Sequence, residues 1–377
     1  MAITISIIIG ALLTLFYVSM VLFFRRGWMN IPEYKILPRE CNTTVSIIIA
    51  ARNEEKNIAS TINDILSQSY PKHLFELIIV DDHSTDNTAN IVENYASEGV
   101  KLISLRESNA LNSYKKKAIA EAITNAKGDL IVTTDADCNM GTKWLETIVS
   151  FYEANDLKFV SSPVSYFKEQ SRFEELQTLE FLFLIGLGAA GIGNKMPSTC
   201  NGANLAYRKD VFMEVGGFKG IDDLASGDDE LLLHKVAEKY PNKIGFCKST
   251  DAVVYTLAKE NLKEFISQRR RWASKSVKYK DKKIVVMAIS IWLFNLSFLF
   301  NFVASFFSIV FLKFFLAQYI VKVLAELSLL SKITSFNKRN SLLKYLPVLS
   351  FLHVVYIVYI GIAGNSGKYN WKGRMVR

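Results

Sequence analysis

Short apolar runs rich in β-branched residues recur in one part of the chain, at 45–50, 77–80, 101–105 and 129–134. Between these runs, apolar residues recur every three to four positions, which is the spacing of amphipathic helices. Continuous apolar runs of this length are typical of strands that are buried on both faces. The alternation of such strands with helices predicts an α/β domain with a doubly wound, mostly parallel sheet.

Three longer apolar stretches lie at 3–24, 284–330 and 342–363. The first is followed by Arg25 and Arg26 and lacks the basic start and small-residue cleavage site of a signal peptide, so we interpret it as a retained transmembrane anchor. The second is long enough for a hairpin of two spans. The third has basic residues on both sides and is either a further span or a re-entrant segment.

These patterns predict three regions. They are an N-terminal anchor at 1–26, a soluble domain at 43–283 and a membrane region at 284–377 that ends in a basic tail. A basic loop is expected at 332–344, between the hairpin and the third stretch. Because positively charged flanks stay in the cytoplasm, we expect a multi-pass protein of the inner membrane whose soluble domain is cytoplasmic.

The formal net charge of the chain is +9, and basic residues are concentrated at 269–283, directly before the hairpin. A basic run beside a membrane span favours contact with anionic lipid. Nucleic-acid binding is a poor interpretation, because no nucleic-acid-binding motif is present. The four cysteines have neither metal-ligand spacing nor a disulfide pattern, which suits a reducing compartment. The sequence does not indicate an oligomeric state.

Polar side chains follow the predicted strands. Arg52 and Glu54 come after the first strand and Asp81 after the second, while Asp135 and Asp137 end the fourth and share one side of it. Ligands of doubly wound sheets bind beyond the carboxyl ends of the strands. Paired carboxylates suit Mg²⁺ or Mn²⁺, which take oxygen ligands from protein and phosphate. The alternative is that the two aspartates only cap the next helix.

Three further segments allow two interpretations each. Lys115, Lys116 and Lys117 open a helix and are either a phosphate site or a solvated basic face. The acidic run at 228–230 either supplies a catalytic carboxylate or caps a helix, and its position after the polar turn at 200–204 favours catalysis. Residues 179–192, apolar apart from Glu180 and rich in glycine, form either a core helix or a segment that rests on the membrane.

Five motifs stand in a fixed order: Ala-Arg-Asn-Glu at 51–54, Val-Asp-Asp-His-Ser-Thr-Asp at 80–86, Thr-Asp-Ala-Asp at 134–137, Gly-Asp-Asp-Glu at 227–230 and Gln-Arg-Arg-Arg-Trp at 268–272. In these motifs the chain resembles the membrane-bound inverting glycosyltransferases of family 2, which have the GT-A, Rossmann-like fold. The resemblance implies a nucleotide-diphosphate sugar as donor, a lipid or lipid-linked acceptor and a divalent metal, Mg²⁺ or Mn²⁺.

The same resemblance implies roles for individual residues. Donor contacts would come from Ala50, Arg52, Glu54, Asp81, Asp82, Lys115, Asp135, Gln268 and Trp272, metal ligation from Asp137 with Asp135, and catalysis from Asp229 as base with Asp228 and Arg271. Two positions depart from the family pattern: Tyr114 precedes Lys115 where the family often has glycine, and Asp228 stands where it has glutamate. Both departures leave the predicted fold intact.

One base without a nucleophilic carboxylate would invert the anomeric configuration, because a single displacement forms no covalent intermediate. A nucleotidyltransferase would also use paired carboxylates, but it leaves the motif at 268–272 and the hairpin unexplained. An inactive membrane scaffold would not need Asp81, Asp137 and Asp229 together. The few predicted spans favour transfer of one or a few sugars over export of a polymer.

Overall fold

The computed structural model describes residues 1–36, 41–106, 113–363, 369–371 and 374–376. The α-helices are Ala2–Asn30 (α1), Ile58–Leu66 (α2), Thr88–Glu93 (α3), Tyr114–Asn125 (α4), Trp144–Ala154 (α5), Arg172–Gly193 (α6), Lys209–Glu214 (α7), Glu230–Lys239 (α8), Leu262–Ala273 (α9), Lys282–Ala304 (α10), Ile309–Phe336 (α11) and Leu346–Ala363 (α12). The strands are Val45–Ala51 (β1), Phe75–Asp81 (β2), Val100–Ser104 (β3), Leu130–Asp135 (β4), Asn139–Met140 (β5), Phe159–Ser161 (β6), Val164–Tyr166 (β7), Leu205–Arg208 (β8), Ile244–Phe246 (β9), Val254–Thr256 (β10), Tyr369–Trp371 (β11) and Arg374–Val376 (β12).

The chain divides into two compact units that interleave along the sequence. The helical unit consists of Met1–Asn30, Gln170–Ala190 and Lys259–Gly367, and the sheet unit of Ile31–Glu169, Gly191–Ala258 and Lys368–Arg377. This division differs from the predicted regions in two ways. Residues 170–190 and 259–283, predicted as parts of the soluble domain, group with the helical unit. The basic tail, predicted as part of the membrane region, groups with the sheet unit.

The main sheet has the strand order β3-β2-β1-β4-β8-β6-β9. Strands β3, β2, β1 and β4 are parallel, which confirms the predicted half of the sheet. The other half is mixed, because β8 runs antiparallel to both β4 and β6. The antiparallel direction of β8 brings the turn at 200–204, which precedes it, to the carboxyl end of β4. Four of the six described strand pairings in this sheet are parallel, so the predicted α/β class with a mostly parallel sheet is confirmed.

The apolar runs form the centre of this sheet, as their composition predicts. Ile47, Ile48 and Ile49 of β1 are at most 1 % exposed, so β1 is covered on both faces. The strands are also in register at their ends, since Ala51 lies opposite Asp81 and Ala50 lies opposite Asp135. The polar residues that follow β1, β2 and β4 thus emerge together at one edge of the sheet.

In the helical unit and the adjoining end of α6, four helical segments of the described chain are long and apolar enough to cross a membrane: 3–30, 172–193, 282–304 and 340–362. The segment 172–193 corresponds to α6, which is longer than the predicted apolar segment, and two-thirds of its most apolar stretch is buried, as expected of a core helix. The second arm of the predicted hairpin, α11, is not one of the four. The predicted basic loop is mostly helical, because α11 continues to Phe336.

Candidate active site

Two loops at the carboxyl ends of β1 and β2 are tied to each other. Asn53 and His83 both adopt left-handed backbone conformations, with φ of 50° and 53°, which is unusual for residues other than glycine. The Asn53 side-chain oxygen accepts from the Thr85 backbone N–H at 2.9 Å, and the Asn53 N–H donates to the Ser84 hydroxyl at 3.0 Å. These bonds offset the backbone strain and hold one edge of the site rigid.

Arg52 holds the loop that follows β2 through two hydrogen bonds. Its Nη1 atom donates to the backbone carbonyls of Asp82 and His83, both at 2.7 Å. Burial lowers the pKa of Arg52, and the nearby guanidinium of Arg374 lowers it further. Glu54 is partly buried and accepts from the Asn57 amide at 3.1 Å. Arg52 and Glu54 are thus placed at the predicted site, and their roles as donor contacts stay predictions.

The two aspartates that follow β2 have different partners. Asp81 is 7 % exposed and accepts from the Ser84 backbone N–H at 3.2 Å. Asp82 is 2 % exposed, and its Oδ1 atom lies 2.7 Å from Nη1 of Arg374 and 3.1 Å from Nδ1 of His83. Its other oxygen is buried without a hydrogen-bond partner among the described residues. Asp82 therefore binds Arg374 of the C-terminal tail.

Lys115 links the carboxylates from two parts of the chain. Its ammonium lies 2.7 Å from Oδ1 of Asp135 and 3.2 Å from Oδ2 of Asp228. Burial alone would lower the pKa of Lys115, but the carboxylates of Asp135 and Asp228 raise it well above its usual value. Lys115 is therefore a permanent cation between the end of β4 and the loop before α8.

The other two lysines of the run do not join this cluster. Lys116 is 1 % exposed and donates to the carbonyls of Ile221, Leu224 and Ser226 at 2.6–2.7 Å. Lys117 pairs with Glu121 one helical turn away on an exposed face. The interpretation of all three lysines as one phosphate site is thus wrong for Lys116, which fixes the loop leading to Asp228.

Asp229 caps helix α8, as the structural alternative predicted. Its Oδ1 atom accepts from the Glu230 backbone N–H at 2.6 Å, and its Oδ2 atom accepts from the Gly202 N–H at 3.1 Å. Glu230 is 2 % exposed and accepts from the Thr199 hydroxyl at 2.6 Å, which makes it a structural residue. Two backbone donors thus orient the Asp229 carboxylate, and this cap is compatible with a second role as base.

Asp135 is the last residue of β4, whereas Asp137 lies in the turn that follows it, and both side chains are partly exposed. Within the described parts of the chain, no group of three or more His, Cys, Asp or Glu side chains is placed to hold a metal ion. Two carboxylates with access to solvent nevertheless fit Mg²⁺ or Mn²⁺, since these ions complete their shell with water and phosphate oxygens. Asp135 is also paired with Lys115, and the assignment of Asp137 and Asp135 as metal ligands stays a prediction.

Gln268, Arg271 and Trp272 lie on α9, in the helical unit. Arg269, which the motif pattern does not mark as a site residue, contacts two of these three side chains. Arg269 is 2 % exposed, donates to Gln268 Oε1 at 2.7 Å and stacks on the Trp272 ring at 4.2 Å. Glu180 of α6 accepts from Arg269 at 2.5 Å. The catalytic role of Arg271 and the donor contacts of Gln268 and Trp272 stay predictions.

The pair of Glu180 and Arg269 is not among the predictions, although the sequence contains a signal for it. A single glutamate in the apolar segment at 179–192 must meet a cation if it is buried, and the basic run at 269–271 supplies one. Nothing in the local pattern distinguishes Lys116 from its neighbours or places Arg374 at Asp82.

The family model "Glycosyl transferase family 2" matches residues 46–216. This match contains the ends of β1, β2 and β4 and the turn that donates to Asp229. The match covers somewhat less than half of the chain, and over these residues the sequence is that of a family 2 glycosyltransferase domain. The fold of the family, GT-A, is the mixed α/β sheet of the sheet unit, and the resemblance seen in the motifs is confirmed.

Glycosyltransferases of other organisms are similar to parts of this chain. The glucosyl-dolichyl phosphate glucuronosyltransferase of Haloferax volcanii is 27 % identical over 178 residues, 46 % of this chain and 55 % of that protein. The probable glycosyltransferase YdaM of Bacillus subtilis is 28 % identical over 253 residues, 65 % of this chain and 57 % of that protein. The beta-monoglucosyldiacylglycerol synthase of Nostoc sp. is 34 % identical over 109 residues, 29 % of this chain and 23 % of that protein. The alignments thus span at most 57 % of these relatives.

A solved structure matches nearly the whole length of this glycosyltransferase. It is the mannosyltransferase PcManGT from Pyrobaculum calidifontis in complex with GDP-Man and Mn²⁺, with a TM-score of 0.57 and 18 % identity. The match covers 93 % of this chain and 99 % of that one. At this identity the likeness shows a common fold.

Proposed function

We propose that this chain is an inverting glycosyltransferase that transfers a sugar from a nucleotide-diphosphate sugar to a lipid or lipid-linked acceptor in the membrane. The observation that carries the proposal is the arrangement of charge around Lys115. A cation lies between the carboxylate that ends β4, Asp135, and the carboxylate before α8, Asp228, and the backbone-oriented Asp229 follows directly.

The residues of the sheet unit support a single displacement. Asp229 takes the proton of the acceptor hydroxyl while the bond from this oxygen to the anomeric carbon forms and the bond to the diphosphate breaks. No second carboxylate is assigned as a nucleophile, so the anomeric configuration inverts. Lys115 remains protonated at neutral pH and balances the negative charge of Asp135 and Asp228. Arg271 is proposed to stabilise the departing diphosphate.

Asp137, with Asp135, would hold Mg²⁺ or Mn²⁺, and such an ion supplies Lewis-acid stabilisation of the diphosphate leaving group. The Mn²⁺ in the complex of the mannosyltransferase PcManGT with GDP-Man supports this choice of ion. On the nucleotide side, Asp81 is proposed to bind the base, with Ala50, Arg52, Glu54 and Asp82 around it. Gln268 and Trp272 are proposed to contact the diphosphate and the acceptor.

A membrane acceptor is supported by two independent observations. Helical segments of the described chain are apolar enough to cross a membrane. The names of two relatives contain dolichyl phosphate and diacylglycerol. The arginines after the first span support a protein of the inner membrane whose sheet unit is cytoplasmic. An Asn90→Cys variant tests this orientation, since the exposed thiol should react with an impermeant reagent only after the membrane is opened; labelling of intact cells would reverse the topology.

The proposed function is tested by incubating purified protein with Mg²⁺ or Mn²⁺, membrane lipid extract and a panel of UDP-, GDP- and nucleoside diphosphate sugars. The expected result is a glycosylated lipid, identified by mass, that carries the inverted anomeric configuration. A retained configuration would refute the mechanism. Release of pyrophosphate from a nucleoside triphosphate would instead identify a nucleotidyltransferase, and nucleotide binding without turnover of any donor would identify a scaffold.

A further inference from the structure

The C-terminal tail contributes a charged side chain to the donor site of the sheet unit. Strands β11 and β12 pair as an antiparallel hairpin, and Arg374 is the first residue of β12. Nη1 of Arg374 lies 2.7 Å from Oδ1 of Asp82, and Nη2 lies 3.5 Å from the carbonyl of the same residue. The tail, predicted as a basic segment of the membrane region, is thus placed at the carboxyl end of β2.

Arg374 also covers an aromatic ring at the start of α4. Its guanidinium carbon lies 3.7 Å from the centroid of the Tyr114 ring, within the range of a cation–π contact. Tyr114 directly precedes Lys115, the cation that joins Asp135 and Asp228. Arg374 therefore connects the loop after β2, where the base-binding Asp81 is proposed, to the helix that carries Lys115.

The other charged side chains at this edge of the sheet indicate a role for the cation of Arg374. Among the described residues, the carboxylates at this edge include Glu54, Asp81, Asp82, Asp135, Asp137, Asp228 and Asp229, and the cations beside them include Arg52, Lys115 and Arg374. A donor diphosphate adds further negative charge. An arginine side chain has five N–H groups in a planar fork, so binding of Asp82 does not exhaust its donors. The side chain of Arg374 is also 17 % exposed, so part of it can be reached from solvent.

We propose that Arg374 is a donor-binding residue, and that the C-terminal hairpin clasps the nucleoside diphosphate against Tyr114 and Asp82. The inference rests on the proposed function, because it assigns a residue to the same donor site. Two other roles make different predictions. A residue that only anchors the tail would affect stability and leave donor affinity unchanged, whereas a residue that plugs the site would weaken donor binding in the wild-type protein.

The test measures binding of UDP and GDP, with Mg²⁺, to the full-length protein by calorimetry in detergent. For the nucleotide that the wild type binds, Arg374→Ala should raise Kd by about 10- to 100-fold, the range for loss of charge-assisted hydrogen bonds. Arg374→Lys keeps the charge but loses the fork, and should fall between the two. The matched control is Arg208→Ala, since Arg208 pairs with Asp210 at the opposite edge of the sheet.

Each outcome decides the matter. If the wild type binds neither nucleotide and turns over no donor, the proposed function fails. If it binds and Arg374→Ala binds equally well, whether its thermal midpoint is unchanged or lowered, the clasp is refuted and the function stands. Tighter binding or faster donor hydrolysis by Arg374→Ala would show a plug and refute the clasp. If Arg374→Ala does not fold, Arg374→Gln, which keeps hydrogen-bond donors without the charge, replaces it with the same criteria.

Discussion

The two units both contain buried charged side chains, but they satisfy these charges with different partners. In the helical unit, side chains pair with each other: Lys322 with Glu326 on α11, and Arg269 with Glu180. In the sheet unit, Asp82 also pairs with the side chain of Arg374, but the backbone holds other charges: Lys116 donates to three carbonyls, and Asp229 accepts from two N–H groups.

The reason for this difference lies in the backbone. Inside a helix each N–H and C=O is bonded within the helix, so a buried charge there can only meet another side chain. The loops beyond the strands have unpaired N–H and C=O groups to offer. Side-chain partners make the helical unit rigid, whereas backbone partners position single charges where a ligand can approach them. Each prediction below tests one side of this contrast.

The largest effect is expected at Asp229. Asp229→Asn keeps the size and the cap of α8 but removes the basicity, so kcat should fall by about 10²- to 10⁴-fold while the Kd of the donor stays within about twofold. Stopped assays of sugar transfer and calorimetry with the nucleoside diphosphate measure the two quantities. Asp210→Asn is the control, because Asp210 is an exposed carboxylate at the other edge of the sheet. A variant that turns over normally would move the base to Asp228.

Next in size is the effect of breaking the buried pair of α11. Lys322 is fully buried, and Glu326 also accepts from the Tyr17 hydroxyl at 2.5 Å and from Ser350. Glu326→Ala leaves the Lys322 charge without its carboxylate and should lower the free energy of unfolding by about 3–5 kcal/mol. Denaturant titration of the protein in detergent measures it.

A double variant and a control complete this experiment. Lys322→Met combined with Glu326→Gln keeps a partner for both hydroxyls and removes both charges, so it should recover most of the lost stability. Lys313→Met removes an exposed charge from the same helix and should change the free energy of unfolding by less than about 0.5 kcal/mol. If the single variant is as stable as wild type, side-chain pairing does not hold α11 in place.

Local periodicity in the sequence is enough to predict part of the sheet unit, but it does not predict the partners of the buried charges. Strands β1, β2, β3 and β4 follow from apolar runs, and the carboxylates at their ends follow from the rule that parallel strands end at one edge. Lys116 stands in a run of three lysines, and nothing in the local sequence distinguishes it from Lys115 and Lys117. Only the fold brings it to carbonyl partners more than a hundred residues away. Arg374 and the pair Arg269–Glu180 are long-range in the same sense.

Two segments show how packing goes beyond the local sequence pattern. The segment at 179–192, for which the sequence allows a core helix or a segment on the membrane, lies in helix α6, where a Cβ atom at Gly186 would lie 2.1 Å from Cδ1 of Ile333, so that side chain would have to shift. The basic loop at 332–344 was predicted from charge alone. Charged residues by themselves do not end a helix. Helix α11 extends to Phe336, and Asn337 is its C-cap.

The third prediction concerns pH. Burial lowers the pKa of Lys116 to about 8, below the value near 10.4 of a lysine in an unfolded chain. Between these pH values the unfolded state binds one more proton than the folded state, so this residue makes unfolding less favourable as the pH rises, by about 1.4 kcal/mol per pH unit. Below pH 8 the contribution is constant. The ion pairs of the helical unit should show no such slope.

The measurement is the free energy of unfolding of wild type and Lys116→Met at pH 7 to 10. Their difference should change with pH above 8, while Lys117→Met, which removes an exposed lysine, should run parallel to wild type. Lys116→Met should also be less stable at pH 7, because three loop carbonyls lose their donor. Parallel curves for all three proteins would mean that the carbonyls keep Lys116 charged throughout.

The smallest effect is expected at Gly202, whose backbone N–H orients Asp229. A Cβ atom there would lie 3.3 Å from Oδ2 of Asp228 and 3.4 Å from Cβ of Asp229, so Gly202→Ala should displace these side chains by a few tenths of an ångström without unfolding the loop. Catalysis depends on such positions, and kcat should fall by about tenfold while the Kd of the nucleoside diphosphate is unchanged. Gly141→Ala is the matched control, since a Cβ atom at Gly141 meets nothing within 4 Å. Equal kcat values for the two variants would show that the backbone contact of Asp229 does not set its catalytic position, and the contrast between the units would then concern stability alone.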